Sequence, residues 1–142
     1  MKIGIDTNIF LNVKNKEKPF FKFSKKILDA IDQGKLDAVV SVVIIAELTV
    51  KYYQEGQIKE KEEFISTLYA NSHYEIINLD LSIADKTGKL RSRVNLKLPD
   101  CIIIASCLQN EASCLITNDG DFKDANGIFP VYSSDEFVGE FL

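Results

Sequence analysis

The chain has 142 residues, enough for one ordinary domain that buries a core without disulfides or metals to staple it. Hydrophobic residues at 46%, charged residues at 27%, 7 Gly and 3 Pro exclude a disordered or fibrous chain. Apolar runs such as 38–46 and 101–108 fall far short of the ~20 residues a bilayer requires, and a formal charge of -4 argues, taken alone, against a polyanionic partner.

The opening residues Met1 to Ile5 run straight into Asp6 with no charged-then-apolar leader. With three cysteines, an odd number that suits a reducing compartment, this predicts a cytoplasmic protein. Lys2 to Asp6 is a short strand, and Asn8 can cap a helix through Phe10 and Leu11. Phe20, Phe23 or Ser24, Ile27, Leu28 and Ile31 repeat at helical spacing until Gly34 stops the pattern. Leu36 to Val40 is a second strand, and Ser41 can cap a helix holding Ala46, Glu47 and Leu48, which Gly56 breaks. A helix over about 58–69 and a strand over 74–79 follow. Ser82 to Asp85 has capping-box character for a helix whose face is Ile83, Thr87, Leu90 and Val94. Pro99 suits the first position of a helix with Asp100 in its first turn and a body, 101–108, so apolar that it must be buried. Strands over 114–117 and 129–132 and a terminal helix opened by Ser133 and Glu136 complete the chain. Alternating strands and helices predict an α/β fold with a parallel, twisted sheet covered on both faces.

Residue types narrow the chemistry. The single histidine, His73, sits in a polar stretch before a strand, and metal-independent RNA cleavage or a nucleophilic triad would have to run through it. Cys101, Cys107 and Cys114 lack C-x-x-C spacing and read as small core residues. Carboxylates are plentiful, and sites made only of carboxylates suit hard divalent cations such as magnesium or manganese.

In parallel sheets ligands bind beyond the carboxyl ends of the strands. Asp6 ends the first strand, Asp119 and Asp121 follow the fourth, and Asp100 opens a helix on the same edge. Glu47 lies about 9 Å in from its helix cap at ~1.5 Å per residue, on a face shared with Val43 and Val50, a position that asks for a cation or a hydrogen-bonding partner. Each acid has a plain structural alternative: a strand-end turn for Asp6, a favourable helix-start charge for Asp100, an Asp-Gly turn for Asp119 and Asp121, and a solvent-facing side chain for Glu47. Together they would gather unneutralised negative charge on one sheet edge.

The basic residues are concentrated. The segment 14–26 carries six lysines and one glutamate, and 86–97 carries five basic residues and no acid. The second run, with Lys86, Lys89, Arg91, Arg93 and Lys97, leads to Asp100, where it could hold substrate phosphates or be an ordinary solvated helix face. Within the first, Phe20, Phe21 and Phe23 cannot all point inward on one helix, so either one is exposed for a partner or the three share the core.

At the acids the sequence resembles a PIN domain, the nuclease family that includes the VapC toxins of toxin–antitoxin pairs. The resemblance is carried by Ile5-Asp6-Thr7-Asn8, the 41–48 stretch with Glu47, the helix start Leu98-Pro99-Asp100, and Thr117-Asn118-Asp119-Gly120-Asp121-Phe122, with about forty, fifty and twenty residues between successive acids. It implies a single PIN-like domain over 1–142, an α/β fold with a five-stranded parallel sheet of order 3-2-1-4-5. It also implies an acidic pocket for one or two Mg2+ or Mn2+ ions, and hydrolysis of RNA to 5′-phosphate and 3′-hydroxyl ends. Asp6, Glu47, Asp100 and Asp119 match the family's catalytic acids and, with Asp121, its metal ligands; Thr7, Asn8 and Thr117 match positions that orient them, and Asp124 lies outside the pattern. Lys89, Arg91, Arg93 and Lys97 are the expected RNA contacts, and an antitoxin or a second copy of the chain the expected protein partners, with no membrane involved. The rivals are a PIN-like scaffold that binds RNA or protein without cutting and a PIN nuclease of RNA processing with no antitoxin. A receiver domain lacks its second acid and its late lysine, and a nucleotide-binding module lacks both glycine-rich fingerprints.

Overall fold

The computed structural model describes residues 1–125 and 127–142. In chain order the elements are β1 (Lys2–Ile5), α1 (Thr7–Lys14), α2 (Phe21–Asp32), β2 (Asp37–Ser41), α3 (Val42–Gln54), α4 (Ile58–Ala70), β3 (Tyr74–Ile77), α5 (Leu81–Arg91), α6 (Leu98–Gln109), β4 (Leu115–Ile116), a 3-10 helix (Gly120–Ala125), β5 (Val131–Tyr132) and α7 (Ser134–Phe141). The strands form one sheet in the order β3-β2-β1-β4-β5. All four pairings are parallel, so every strand ends on the same edge.

β1 is central, and its successive side chains point to opposite faces. Ile3, Gly4 and Ile5 are nevertheless all buried, so helices cover both faces of the sheet, as alternating elements require. Gly4 marks where one helix comes closest. A Cβ at this position would collide with Cys107 Sγ of α6 and stand 3.3 Å from Leu115 Cδ1. That approach explains the apolar composition of α6, in which every residue from Cys101 to Cys107 is buried. α5 packs across α6, while α2 packs against α1 and α7. Phe10, Phe64 and Tyr74 join α1, α4 and β3 through ring contacts at 5.6 and 6.2 Å.

Several predicted boundaries move for identifiable reasons. Asp6, not Asn8, caps α1: its backbone is extended, and its Oδ1 accepts from Thr7 N at 2.8 Å, leaving Asn8 inside the first turn. Asp80, not Ser82, caps α5, accepting from Ile83 N at 2.9 Å. α6 starts one residue early, at Leu98, so Pro99 takes the second position. β4 and β5 have two residues each, although bonds from Gly4 N to Cys114 O and from Thr117 N to Tyr132 O continue the pairing beyond them. The 3-10 helix replaces what reads in sequence as a simple turn. Ser41 and the Ser133–Glu136 box cap α3 and α7 as predicted.

Phe20, Phe21 and Phe23 are all half-buried, with the Lys22 ammonium 4.8 Å from the Phe23 ring. The three cysteines are free and buried. Among the described residues no helix is long and apolar enough to cross a membrane.

Gly4→Ala should lower unfolding free energy by about 1–3 kcal/mol through overpacking. In denaturant titrations, Cys107→Ala in the same chain should recover part of that loss, because it removes the sulfur the new methyl group meets. Strictly additive losses would show that the sulfur is not the obstacle.

Candidate active site

The strand ends on the sheet's carboxyl edge carry the predicted acids. Asp6 is the most constrained, at 5% exposure. Its Oδ1 accepts from Thr7 N, and its Oδ2 accepts from Asn8 Nδ2 at 2.8 Å and from the Thr117 hydroxyl at 2.6 Å. The same hydroxyl oxygen accepts from Asn8 Nδ2 and from Asp119 N, both at 3.0 Å. One threonine therefore ties the end of β1 to the loop after β4. Asp119, exposed in that loop, accepts at Oδ1 from Asp121 N at 2.9 Å.

Asp100 occupies the first turn of α6, half-buried. Glu47 lies in the second turn of α3. The buried face of that helix is Ile44, Leu48 and Tyr52, and Val50 is 50% exposed. Of the two predicted neighbours on its face, Val43 packs half-buried against Ile83, Ile102 and Ala105 while Val50 stands in solvent; Glu47 is itself exposed, and what marks it is the company of the other acids. His73 precedes β3, on the sheet's opposite edge, where Nδ1 pairs with Asp37 Oδ1 at 2.9 Å.

The acids feel one another. Burial foremost raises the Asp6 pKa, against hydrogen bonds from Thr117, Thr7 and Asn8 that lower it, and nearby Asp119 raises it further. Glu47 is raised by desolvation and then by Asp6 and Asp100. Asp100 is pushed up to about 6 by desolvation, Asp6 and Asp119, with Lys97 only partly opposing. Asp6 and Asp119 meet at the Thr117 hydroxyl, Asp100 and Asp121 line one cleft, and Glu47 is near enough to Asp6, Asp100 and Asp119 to feel their charge. Among the described residues the one ion pair reaching these acids is Lys97–Asp121, at 3.9 Å between two exposed side chains.

The donor set is hard oxygen throughout, as magnesium or manganese prefers. The Thr7 hydroxyl oxygen is buried with no hydrogen-bond partner among the described residues. Among the described residues no three acid, histidine or cysteine side chains stand as a ready-made coordination group. A divalent cation would have to draw the carboxylates together. In charge and donor chemistry the residues fit such an ion.

Beside Asp100 opens a cleft of about 510 Å³ lined by Arg91, Lys97, Asp121 and Lys123 among others. Of the predicted RNA contacts, Arg91 and Lys97 line this cleft, whereas Lys89 and Arg93 are exposed outside its lining. Asp124 lines it too. Lys123 is not legible in the sequence because its placement depends on the 3-10 helix. Nor are Asn12, Asn118 and Ser134: in sequence they read as polar residues of a helix, a loop and a helix start.

Because the folded-state pKa of Asp100 lies above the usual 3.8, ionisation costs stability: the contribution is present below that value and lost as pH rises through about 6. Without added metal, Asp100→Asn should therefore unfold at higher denaturant than wild type at pH 7, by about 1 kcal/mol after allowance for solvent screening. The advantage should vanish near pH 4, and an advantage independent of pH would refute the electrostatic account.

The PIN domain profile matches residues 3–128. No sequence among the curated proteins matches the chain. A chain of a toxin–antitoxin complex from Klebsiella pneumoniae superposes with a TM-score of 0.69 at 28% identity, covering 93% of this chain and 97% of that one. VapBC2 of Rickettsia felis, bound to a DNA fragment from its promoter, gives 0.63 at 22% identity, covering 94% and 98%. VapC20 of Mycobacterium tuberculosis, a sarcin–ricin-loop-cleaving toxin, gives 0.70 at 12% identity over 89% and 95%; these last two share the fold. The profile takes in Asp6, just beyond β1, and runs past Asp119, and the chain belongs to the PIN domain family.

Proposed function

We propose that this protein is a metal-dependent endoribonuclease of the VapC type, the toxin of a toxin–antitoxin pair. The observation that carries the reading is the gathering of Asp6, Glu47, Asp100 and Asp119 on one sheet edge, three of them with raised pKa values and, among the described residues, none of the four in an ion pair. Structural ion pairs do not leave so much like charge uncompensated. The likeness to toxin–antitoxin complexes supports an antitoxin partner; a second copy of the chain and a cytoplasmic setting complete the proposal.

Asp6, Asp100 and Asp119 would hold one or two Mg2+ or Mn2+ ions, with Asp121 as a further oxygen at the rim. When bound, the cation supplies a lowered water pKa and neutralises charge developing on the phosphate. Thr7, Asn8 and Thr117 keep Asp6 aimed through the bonds already described. Glu47, the exposed acid on α3, would either bind the cation directly or hold a water beside it. Arg91 and Lys97 hold substrate phosphates in the adjoining cleft, and Lys89 and Arg93 extend the basic surface beyond it. Two bound divalent ions would cancel the formal charge of -4, turning a pocket that repels RNA into one that attracts it.

Purified protein should cleave single-stranded RNA with Mg2+ or Mn2+ and stop with EDTA. Asp6→Asn and Asp119→Asn should each lower cleavage at least about 100-fold. Cleavage by Asp6→Asn equal to wild type would overturn the assignment. In a separate binding titration, Arg91→Ala with Lys97→Ala should weaken RNA affinity and flatten its salt dependence by about 1.4 in log–log slope, roughly 0.7 for each phosphate no longer neutralised. An unchanged slope would return these residues to the solvated surface.

A further inference from the structure

The three residues Thr117, Asn118 and Asp119 lie outside both β4 and the 3-10 helix that follows. Two of them carry the site: the Thr117 hydroxyl grips Asp6, and Asp119 is one of its acids. A single ladder bond, from Thr117 N to Tyr132 O at 2.9 Å, reaches the start of the segment, and beyond it side chains hold the loop. The side chain between Thr117 and Asp119 is one of them. Asn118 Nδ2 donates to Asn12 Oδ1 of α1 at 2.8 Å. Asn118 Oδ1 accepts from both Ser134 N at 2.9 Å and Ser134 Oγ at 3.0 Å, at the start of α7. Its own backbone N–H donates to Asn8 Oδ1 at 2.9 Å.

The partners are themselves sealed in. Asn12 is 3% exposed and Ser134 is fully buried, and Asn12 also accepts from the buried Ser24 of α2 at 3.3 Å. Buried polar groups satisfied in this way have few alternative positions, because leaving a partner unpaired costs the desolvation of that partner. The side chain of Asn118 is thus anchored to two helices that contribute no acid from those positions.

We infer that Asn118 is a positioning residue of the metal site, holding Thr117 and Asp119 in register with Asp6 by linking the loop after β4 to α1 and α7. The inference rests on the metal-dependent reading above and deepens it. Among the described residues the Asn118 side chain bonds Asn12 and Ser134 and none of the acids. Its effect passes through the backbone of its two neighbours. Groups that orient ligands from behind, when removed, weaken metal affinity about 10- to 100-fold.

Mn2+ titration of the full chain at pH 7, followed by calorimetry, tests this without any RNA. Asn118→Ala should raise the Mn2+ dissociation constant about 10-fold. Leu68→Ala, which hollows the core under α4, supplies a control for stability loss alone and should bind Mn2+ as wild type does, since a residue that merely stabilises the fold leaves affinity unchanged below the unfolding transition. Should Asn118→Ala fail to fold, Asn12→Ala and Ser134→Ala decide the matter. Each removes part of the anchoring, and a weakening of about 3-fold or more in either supports the role. Affinity within twofold of wild type in the folded variants, with wild type binding Mn2+, overturns this inference alone. No Mn2+ binding by wild type overturns the metal reading, and this inference with it.

Discussion

The hydrogen bond from the Thr117 hydroxyl to the Asp6 carboxylate, 2.6 Å long and buried, is the joint on which the site depends. A carboxylate at 5% exposure is unfavourable in its ionised form. Three donors offset part of that penalty, and all three come from the junction where β1 ends beside β4. Because Thr117 also accepts from Asp119 N, the bond that makes Asp6 tolerable also sets where the next acid stands. Parallel pairing of β1 with β4 is the precondition, since only then do both strands end on the same edge.

The rest of the fold supports that edge. α6 approaches β1 closely because Gly4 has no side chain, and this brings Asp100, in the first turn of α6, toward the strand ends. α3 leaves β2 at the same edge and carries Glu47 on its exposed rim. The polar bonds from Asn118 to α1 and α7 hold the one part of the site with no regular structure of its own. A rigid interior therefore surrounds acids that repel one another, and stability is given up locally where charge is concentrated.

Much of this is legible in the sequence. Strand and helix alternation predicts the parallel sheet because the hydrophobic period changes between elements, and the burial of α6 follows from its unbroken apolar body. The acids at strand ends are readable for the same reason, as position along a strand translates directly into position on the edge. Glu47 is reached by a route that holds at one end only: helical spacing puts it on an apolar face, and Val43 does pack on a buried cluster, yet Ile44, Leu48 and Tyr52 form the buried side and Val50 stands in solvent. Local pattern misplaces the caps at Asn8 and Ser82 because several residues that can accept a backbone hydrogen bond lie close together. The conformation that selects Asp6 and Asp80 is decided by where the preceding strand and loop deliver the chain.

By itself, then, the sequence determined the element order, the central strand's apolar character, and the supply of carboxylates with a single histidine, because these follow from residue type and short-range spacing. Tertiary structure alone decided that Thr117 reaches Asp6 across 111 positions, that Asn118 reaches Asn12 across 106, and that Lys123 shares a cleft with Arg91. Contacts of that kind depend on the sheet's pairing and on the direction in which a short irregular loop turns. Neither is encoded by any window of neighbouring residues. Their strength comes from burial, which exists only once distant segments have closed around them.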